Sequence, residues 1–193
     1  MSLSYTGVIH LDRFSSFEDF LSSIRAARRQ DARKAEKTGL RIELSHDVSE
    51  FIHLYELTFS RQGIASDDLQ LAKVYRNVRT LLETGLGQIL IARSSTGKVV
   101  SAIVTASDPI CSYYLFGATD PTYRSTGANS ALLLHAIQGM FQSAKKSFDM
   151  VGVNSPQRGD FKTSFNAEPV PFFALTFKSS ADSEHYKVAN VSR

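Results

Sequence analysis

The sequence predicts an α/β (α+β) fold, a mixed central sheet with antiparallel N-terminal strands, a βαβ crossover and flanking helices. Three observations carry this. Apolar residues recur at helical spacing through most of the first 85 positions. Three strand-like runs at 88–93, 98–106 and 112–116 then follow, joined by short turns. Finally, a long apolar helix pattern separates the last of these runs from another at 148–153, the spacing of a crossover between parallel strands.

The elements can be justified in order. Residues 6–11 read as a short strand, and Ser15 with Glu18 stands as a capping box for a helix whose Phe17, Phe20, Leu21, Ile24 and Ala27 share a face. The same helix turns basic, with Arg25, Arg28, Arg29, Arg33, Lys34 and Lys37 against Asp31 and Glu36, and stops near Gly39. A strand at 41–44 precedes two helices. Asp47 and Glu50 cap the first, with Val48, Phe51, Ile52, Tyr55 and Phe59 as its stripe up to Gly63. Asp67 opens the second, which buries Leu71, Val74, Tyr75, Val78 and Leu82 and ends at Gly85. The turns at 94–97 and 108–110 make the next three strands antiparallel neighbours. A helix over 129–145, strands at 148–153 and 171–177, and a polar tail from Ser179 complete the chain.

Length and composition narrow the function classes. The 193 residues fit one domain, divided here into a strand and basic helix over 1–40, a main domain over 41–178 and a tail over 179–193. A net charge of +3 permits acidic ligands without arguing for nucleic acid, and no apolar run approaches the ~20 residues that span a bilayer. Cys111 is the only cysteine and suits a reducing cytoplasm; the start, Met1-Ser2-Leu3-Ser4, carries no secretion signal. His10, His46, His53, His135 and His185 are scattered without partners at ligand spacing, so no metal site is expected.

The loop 117–130 carries the most chemistry. It joins an aromatic strand to the apolar helix through Arg124-Ser125-Thr126-Gly127-Ala128-Asn129-Ser130. A glycine loop ending at a helix start exposes backbone N–H groups, and the helix dipole adds positive charge there, so a phosphate cradle is expected. Asn129 and Ser130 add side-chain hydrogen bonds and Arg124 a full charge. The alternative is an ordinary helix cap with a surface arginine. Rossmann units place their glycine loop after the first strand and continue parallel, which this chain does not.

At this point the residues resemble the Gcn5-related N-acetyltransferase (GNAT) superfamily, whose pyrophosphate loop reads Gln/Arg-x-x-Gly-x-Gly/Ala between the fourth strand and third helix. Arg124 to Asn129 follows that form, with Asn129 in place of the last small residue. More closely the chain is similar to the Fem-type group, which includes peptidoglycan-bridge aminoacyltransferases. The stretches that carry this are 28–39 (RRQDARKAEKTG), 59–63 (FSRQG), 115–129, 161–165 (FKTSF) and 168–171 (EPVP). Fem-type proteins usually carry two GNAT-like halves, and this chain resembles the second half preceded by the basic helix that ends the first. An acceptor site completed by a further half, or by a second copy of the chain in a homodimer, is therefore expected.

The resemblance implies an acyltransferase using acyl-CoA (acetyl-CoA), without a metal, on an amine of a small molecule or cell-envelope sugar precursor. Its alternatives are a Fem-type aminoacyltransferase drawing on aminoacyl-tRNA and a non-catalytic half serving as an interaction module. Lys162 falls where GNAT enzymes often supply a tyrosine acid; it either serves the leaving group, the oxyanion or an acceptor phosphate, or is a solvated lysine. Asp149, in an apolar strand, is a candidate base or a hydrogen-bonded structural aspartate. Tyr114 and Asn154, on or after the two parallel strands, are candidates to face the same cleft. Arg61 and Gln62 either line the acceptor cleft or complement a helix dipole.

Overall fold

The run Gly87–Arg93 is buried on both faces, Ile89 and Ile91 in one apolar cluster and Leu90 and Ala92 in another. Such a strand requires helices on both sides of its sheet. The computed structural model, which describes residues 2–61, 67–177 and 186–188, has that arrangement. Its strands are β1 (Ser2–His10), β2 (Arg41–Ser45), β3 (Gly87–Arg93), β4 (Val99–Ser107), β5 (Cys111–Thr119), β6 (Ser147–Gly152), β7 (Glu168–Phe177) and β8 (Tyr186–Val188). Its helices are α1 (Phe17–Ser23), α2 (Ala26–Lys37), α3 (Val48–Arg61), α4 (Asp68–Glu83), α5 (Ala128–Gln142) and α6 (Pro156–Thr163).

The sheet order is β2-β3-β4-β5-β6-β1-β7-β8. Among the described residues β5 and β6 form the parallel pair, joined by α5, and the other pairs are antiparallel. Phe51 and Leu54 of α3, with Val74 and Val78 of α4, cover one face. Leu132, Leu133 and Ile137 of α5 cover the other, together with Phe20 of α1, Ile9 and Phe148. The mixed fold class read from the sequence is therefore the one observed.

Local expectations change in four places. The helix expected from Ser15 to Gly39 is two helices, broken where Ile24 and Arg25 take extended backbone. Ile24 is buried in the core, the Arg25 N–H donates to the Ser164 carbonyl at 3.0 Å, and Arg29 turns back to donate to the carbonyls of Leu21, Ser22 and Ile24 at the end of α1. Tertiary partners thus satisfy the backbone that a continuous helix would have satisfied internally. The N-cap is Ser16, whose hydroxyl accepts from the Asp19 N–H, while Ser15 donates to the Asp19 carboxylate. The first and last long strands both extend further than read, because Ser2 to Val8 pair with Glu168 to Ala174. Within the expected tail, β8 pairs with Leu175 to Phe177; the rest of the tail from Ser179 lies outside the described residues.

One contact locks α2 onto the start of α5. Gly127 has φ 81°, and a Cβ there would lie 2.2 Å from the Asp31 carbonyl oxygen. The Ser130 hydroxyl donates to the Asp31 carboxylate at 2.9 Å, and Arg28 bridges Asp31 at 2.9 Å and Ser130 at 3.3 Å. Gly39 also has positive φ, 72°, but with open space around it. Left-handed strain of about 1–2 kcal/mol applies to alanine at either site, whereas only Gly127 adds a backbone clash. Urea unfolding should show Gly127→Ala clearly more destabilised than Gly39→Ala; equal losses would mean that α2 is not seated on the loop.

Candidate active site

The parallel ladder between β5 and β6 is short. It comprises Cys111↔Ser147, Ser112↔Phe148 and Tyr113↔Asp149, after which β5 runs on to Thr119 paired with β4 alone. Both strands are bulged where they part: on β5 the register with β4 passes from Thr105↔Tyr114 to Val104↔Phe116, two steps for one, and on β6 the register with β1 passes from Val8↔Asp149 to Thr6↔Gly152, three steps for two. Val151 absorbs the extra residue with φ 58°, a left-handed conformation that a β-branched side chain rarely adopts. Asp149 holds it there. Its Oδ1 accepts from the Val151 N–H at 2.7 Å and from the Thr6 hydroxyl.

Lys162 reads the bulge. From α6 its Nζ donates to the carbonyls of Val151 at 3.2 Å and Gly152 at 2.9 Å, and it lies 5.8 Å from the centre of the Tyr114 ring. Burial pushes the ammonium down to about 8 and the Arg158 cation adds to the fall, while the Asp149 carboxylate opposes it. Arg158 stands one turn earlier on the same face of α6. Burial also raises the Tyr114 phenol, to about 12, against the Asn129 side-chain amide, which donates to its oxygen. The Tyr114 hydroxyl lies 1.9 Å from where a Cβ of Gly117 would stand, so this tyrosine is accommodated only because residue 117 is glycine.

The remaining expected residues divide. Arg124 and Ser125 are exposed on a 3₁₀ turn over Pro121–Thr126, and Arg124 has no ion pair among the described residues. The Thr126 hydroxyl donates to the Tyr123 carbonyl at 2.6 Å, and Ala128 is buried in the core. Asn129 turns to Tyr114 and Ser130 to Asp31. Asn154 acts as a surrogate strand residue: its amide oxygen accepts from the Tyr5 N–H at 2.8 Å and its amide nitrogen donates to the Tyr5 carbonyl at 3.2 Å. Arg61 ends α3. Gln62 lies outside the described residues.

Two buried atoms beside the first turn of α5 have no protein partner, the Arg28 Nε donor and the Asn129 Oδ1 acceptor. Buried polar atoms are nearly always paired, so this pair fits a polar ligand reaching the helix start. The Asp31 carboxylate limits how much negative charge that ligand can bring against Ser130.

Sequence reasoning missed Arg28, Asp31, Arg158 and the Val151 bulge. Arg158 and Lys162 at i,i+4 on a short helix are a readable signal, since like charges at that spacing are unfavourable without a role. The Arg28 contacts, over the rings of Phe161 at 5.1 Å and Phe165 at 6.0 Å, join positions more than 130 residues apart and left no local pattern.

This geometry has relatives. FemX is similar in structure with a TM-score of 0.71 at 15% identity, the match covering 86% of this chain and 59% of FemX. L-PGS from Bacillus licheniformis matches with a TM-score of 0.60 at 11% identity over 87% of this chain and 59% of that one. A tandem GNAT protein from the clavulanic acid biosynthesis pathway matches with a TM-score of 0.58 at 11% identity, over 89% and 52%. The chain thus spans less than two thirds of the length of each, and the shared feature is the GNAT/Fem-type fold. No curated protein matches the chain in sequence. No helix among the described residues is long and apolar enough to cross a membrane. Residues 22–163, a span that takes in α2, the loop at 117–130 and Lys162, match the acetyltransferase (GNAT) domain, and the chain belongs to that family.

Proposed function

We propose that the chain catalyses N-acyl transfer in the cytoplasm, from acyl-coenzyme A to an amine of a small molecule or cell-envelope sugar precursor, with Lys162 serving the leaving thiolate. The observation that carries this reading is the gap between β5 and β6, sealed at one end by the Tyr113↔Asp149 pair and bordered by Lys162. The donor's thioester, when bound, supplies an acyl carbon open to attack by an amine.

The chain's own groups meet the other needs. The edge of β5 beyond Tyr113 has no strand partner on the β6 side among the described residues, and offers backbone donors and acceptors to an extended ligand. Arg124, the first turn of α5 and the unpaired Arg28 Nε and Asn129 Oδ1 take the ligand's polar end. In the transfer the amine nitrogen bonds to the acyl carbon, the carbon–sulfur bond breaks, the thiolate gains a proton and the new amide nitrogen sheds one. A lysine at about 8 matches a thiol near 8.5. Lys162 gives its proton to sulfur and regains one from nitrogen. Tyr114, at about 12, holds its proton too tightly for that task and packs against the ammonium instead.

Asp149 serves in this reading as a positioning residue, fixing the bulge that aims two carbonyls at Lys162. Arg158 and Lys162, four residues apart on α6, together favour a phosphate-bearing acceptor, with Arg61 and Gln62 as further candidates to bind it.

A second reading, an aminoacyl-tRNA donor, has its own observation. Asp31 places a carboxylate against Ser130 at the start of α5, where a pyrophosphate would otherwise lie, while Arg33, Lys34 and Lys37 of α2 have no ion pairs among the described residues. Calorimetry separates the two. Acetyl-coenzyme A should bind the parent, and Arg124→Ala should weaken it by about tenfold, the loss of one charge-assisted contact. Binding of tRNA that falls steeply with salt, without acetyl-coenzyme A binding, would replace the first reading by the second.

The Lys162 assignment has a pH signature. Its ordinary value is 10.5 and its folded value about 8. Between these the unfolded chain binds the proton more tightly, so the folded state carries a penalty below about pH 8 that is relieved as pH rises toward 10.5. The Tm of Lys162→Met relative to the parent should therefore be most favourable near pH 7 and decline toward pH 10.5. Its turnover should drop by about 10²–10⁴-fold. In the parent, turnover should fall as pH rises through about 8, as the proton donor is lost. A Tm difference flat across this range would contradict the shifted lysine, and unchanged turnover would remove it from the chemistry.

A further inference from the structure

Apart from the gap between β5 and β6, a cavity lies along one stripe of α5. It has a volume of about 560 Å³, opens to solvent and is lined by α1, α2, α5 and the neighbouring strands β2 and β3. On α5 it is reached by Ala128, Ala131, Leu134, His135 and Gln138, whereas Asn129 faces Tyr114 and Ser130 faces Asp31. At about 3.6 residues per turn, 128, 131, 135 and 138 form one stripe and 129 and 130 fall outside it. The cavity is therefore separate from the gap beside Lys162.

Its chemistry is two-part. The walls are apolar and in part small, with Ala32 of α2 opposite Ala131 of α5 and with Leu21, Leu40, Ile42 and Leu134 completing the surround. The volume falls inside the roughly 300–1,000 Å³ of small-molecule sites. The rim is charged: Arg29 and Arg33 stand on it against Glu36, with His135 and Gln138 beside them. Arg29 is already committed to the carbonyls at the end of α1. Arg33 is exposed and has no ion pair among the described residues, which leaves one available guanidinium at the mouth of an apolar pocket. A guanidinium there selects a planar carboxylate in a two-pronged contact.

We propose that this cavity binds a long-chain monocarboxylic acid as a free monomer, its alkyl chain between α2 and α5 and its carboxylate on Arg33. The apolar walls reward a chain without polar atoms, and the Arg33 guanidinium fixes which end stays outside.

Palmitate, titrated below its micelle concentration and followed by calorimetry, tests this on the full chain. The parent should bind palmitate, bind hexadecanol about tenfold more weakly for want of the charged contact, and not bind acetate. Arg33→Ala, an exposed change that leaves the core intact, should bring palmitate down to the hexadecanol level. Ala131→Phe should abolish both by filling the cavity. If that variant fails to fold, nuclear magnetic resonance shifts of the Ala131 and Leu134 methyl groups in the parent serve in its place, and they should move with palmitate. Lys162→Met should leave palmitate affinity unchanged. No palmitate binding by the parent, binding indifferent to Arg33, or saturation that leaves both methyl signals in place would overturn the proposal. Association with phosphatidylglycerol vesicles in place of free palmitate would overturn the monomeric ligand and point to a membrane surface.

Discussion

Asp149 accepts two hydrogen bonds on one carboxylate oxygen, and the shape of the site depends on them. Keeping Val151 in the left-handed region costs about 1–3 kcal/mol. A hydrogen bond to a charged group contributes about 1.5–3 kcal/mol. The Val151 N–H alone therefore roughly offsets the strain, and the Thr6 hydroxyl, arriving from β1, tips the balance. Without that carboxylate, β6 would lose what holds Val151 in the left-handed region, while β5 would keep its own bulge against β4 at the same level. The bulge of β6 and the two carbonyls that meet Lys162 are thus one event, set by an aspartate in an otherwise apolar strand.

Lys162 is fixed from the other side by α2. Arg25 pairs with Asp160 at 2.5 Å, and Arg28 lies over Phe161 and Phe165, so the residues flanking Lys162 on α6 are held by the basic helix. The exposed Arg25 pair is worth about 0–1 kcal/mol by itself. Arg28 has more effect because its guanidinium is mostly buried and also ties Asp31 to Ser130. One side chain thereby couples the start of α5 to the helix bearing the lysine. The basic run from Arg25 to Lys37 spends Arg25, Arg28 and Arg29 on intramolecular contacts and leaves Arg33, Lys34 and Lys37 toward solvent.

How legible this was from sequence follows from the range of the contacts. The antiparallel strands, the crossover and the apolar stripes of α3 and α4 rest on local periodicity and turns, and were readable. The break at Ile24 and Arg25 was not, because its cause is the carbonyl of Ser164 far along the chain. Asn154 shows the same limit. Its position after β6 suggested a ligand contact, yet its amide completes the backbone pairing of Tyr5. The glycine loop was recognisable as a motif, but the element that presses against Gly127, the main chain of Asp31, was invisible without the fold. Lys162 was found through its neighbours in sequence; its lowered proton affinity needed burial and Arg158, which only the packing of α6 supplies together.

The composition of α5 follows from being faced on several sides. A surface helix needs one apolar stripe, but α5 buries eight residues spread over its circumference. Leu132, Leu133 and Ile137 meet the core, while Ser130 meets α2. Its Ala131 side faces Ala32 across a space that neither helix fills, at a rim where Arg33 stands unpaired. Alanines from two helices normally draw those helices together until their backbones approach. Here Asp31 has already reached Gly127 at one end of the contact, and Arg29 holds α2 to the end of α1, so the helices cannot close further. The space is a consequence of where α2 is pinned. The contacts of Asp31 with Gly127 and of Arg29 with the end of α1 thus keep the apolar cavity open.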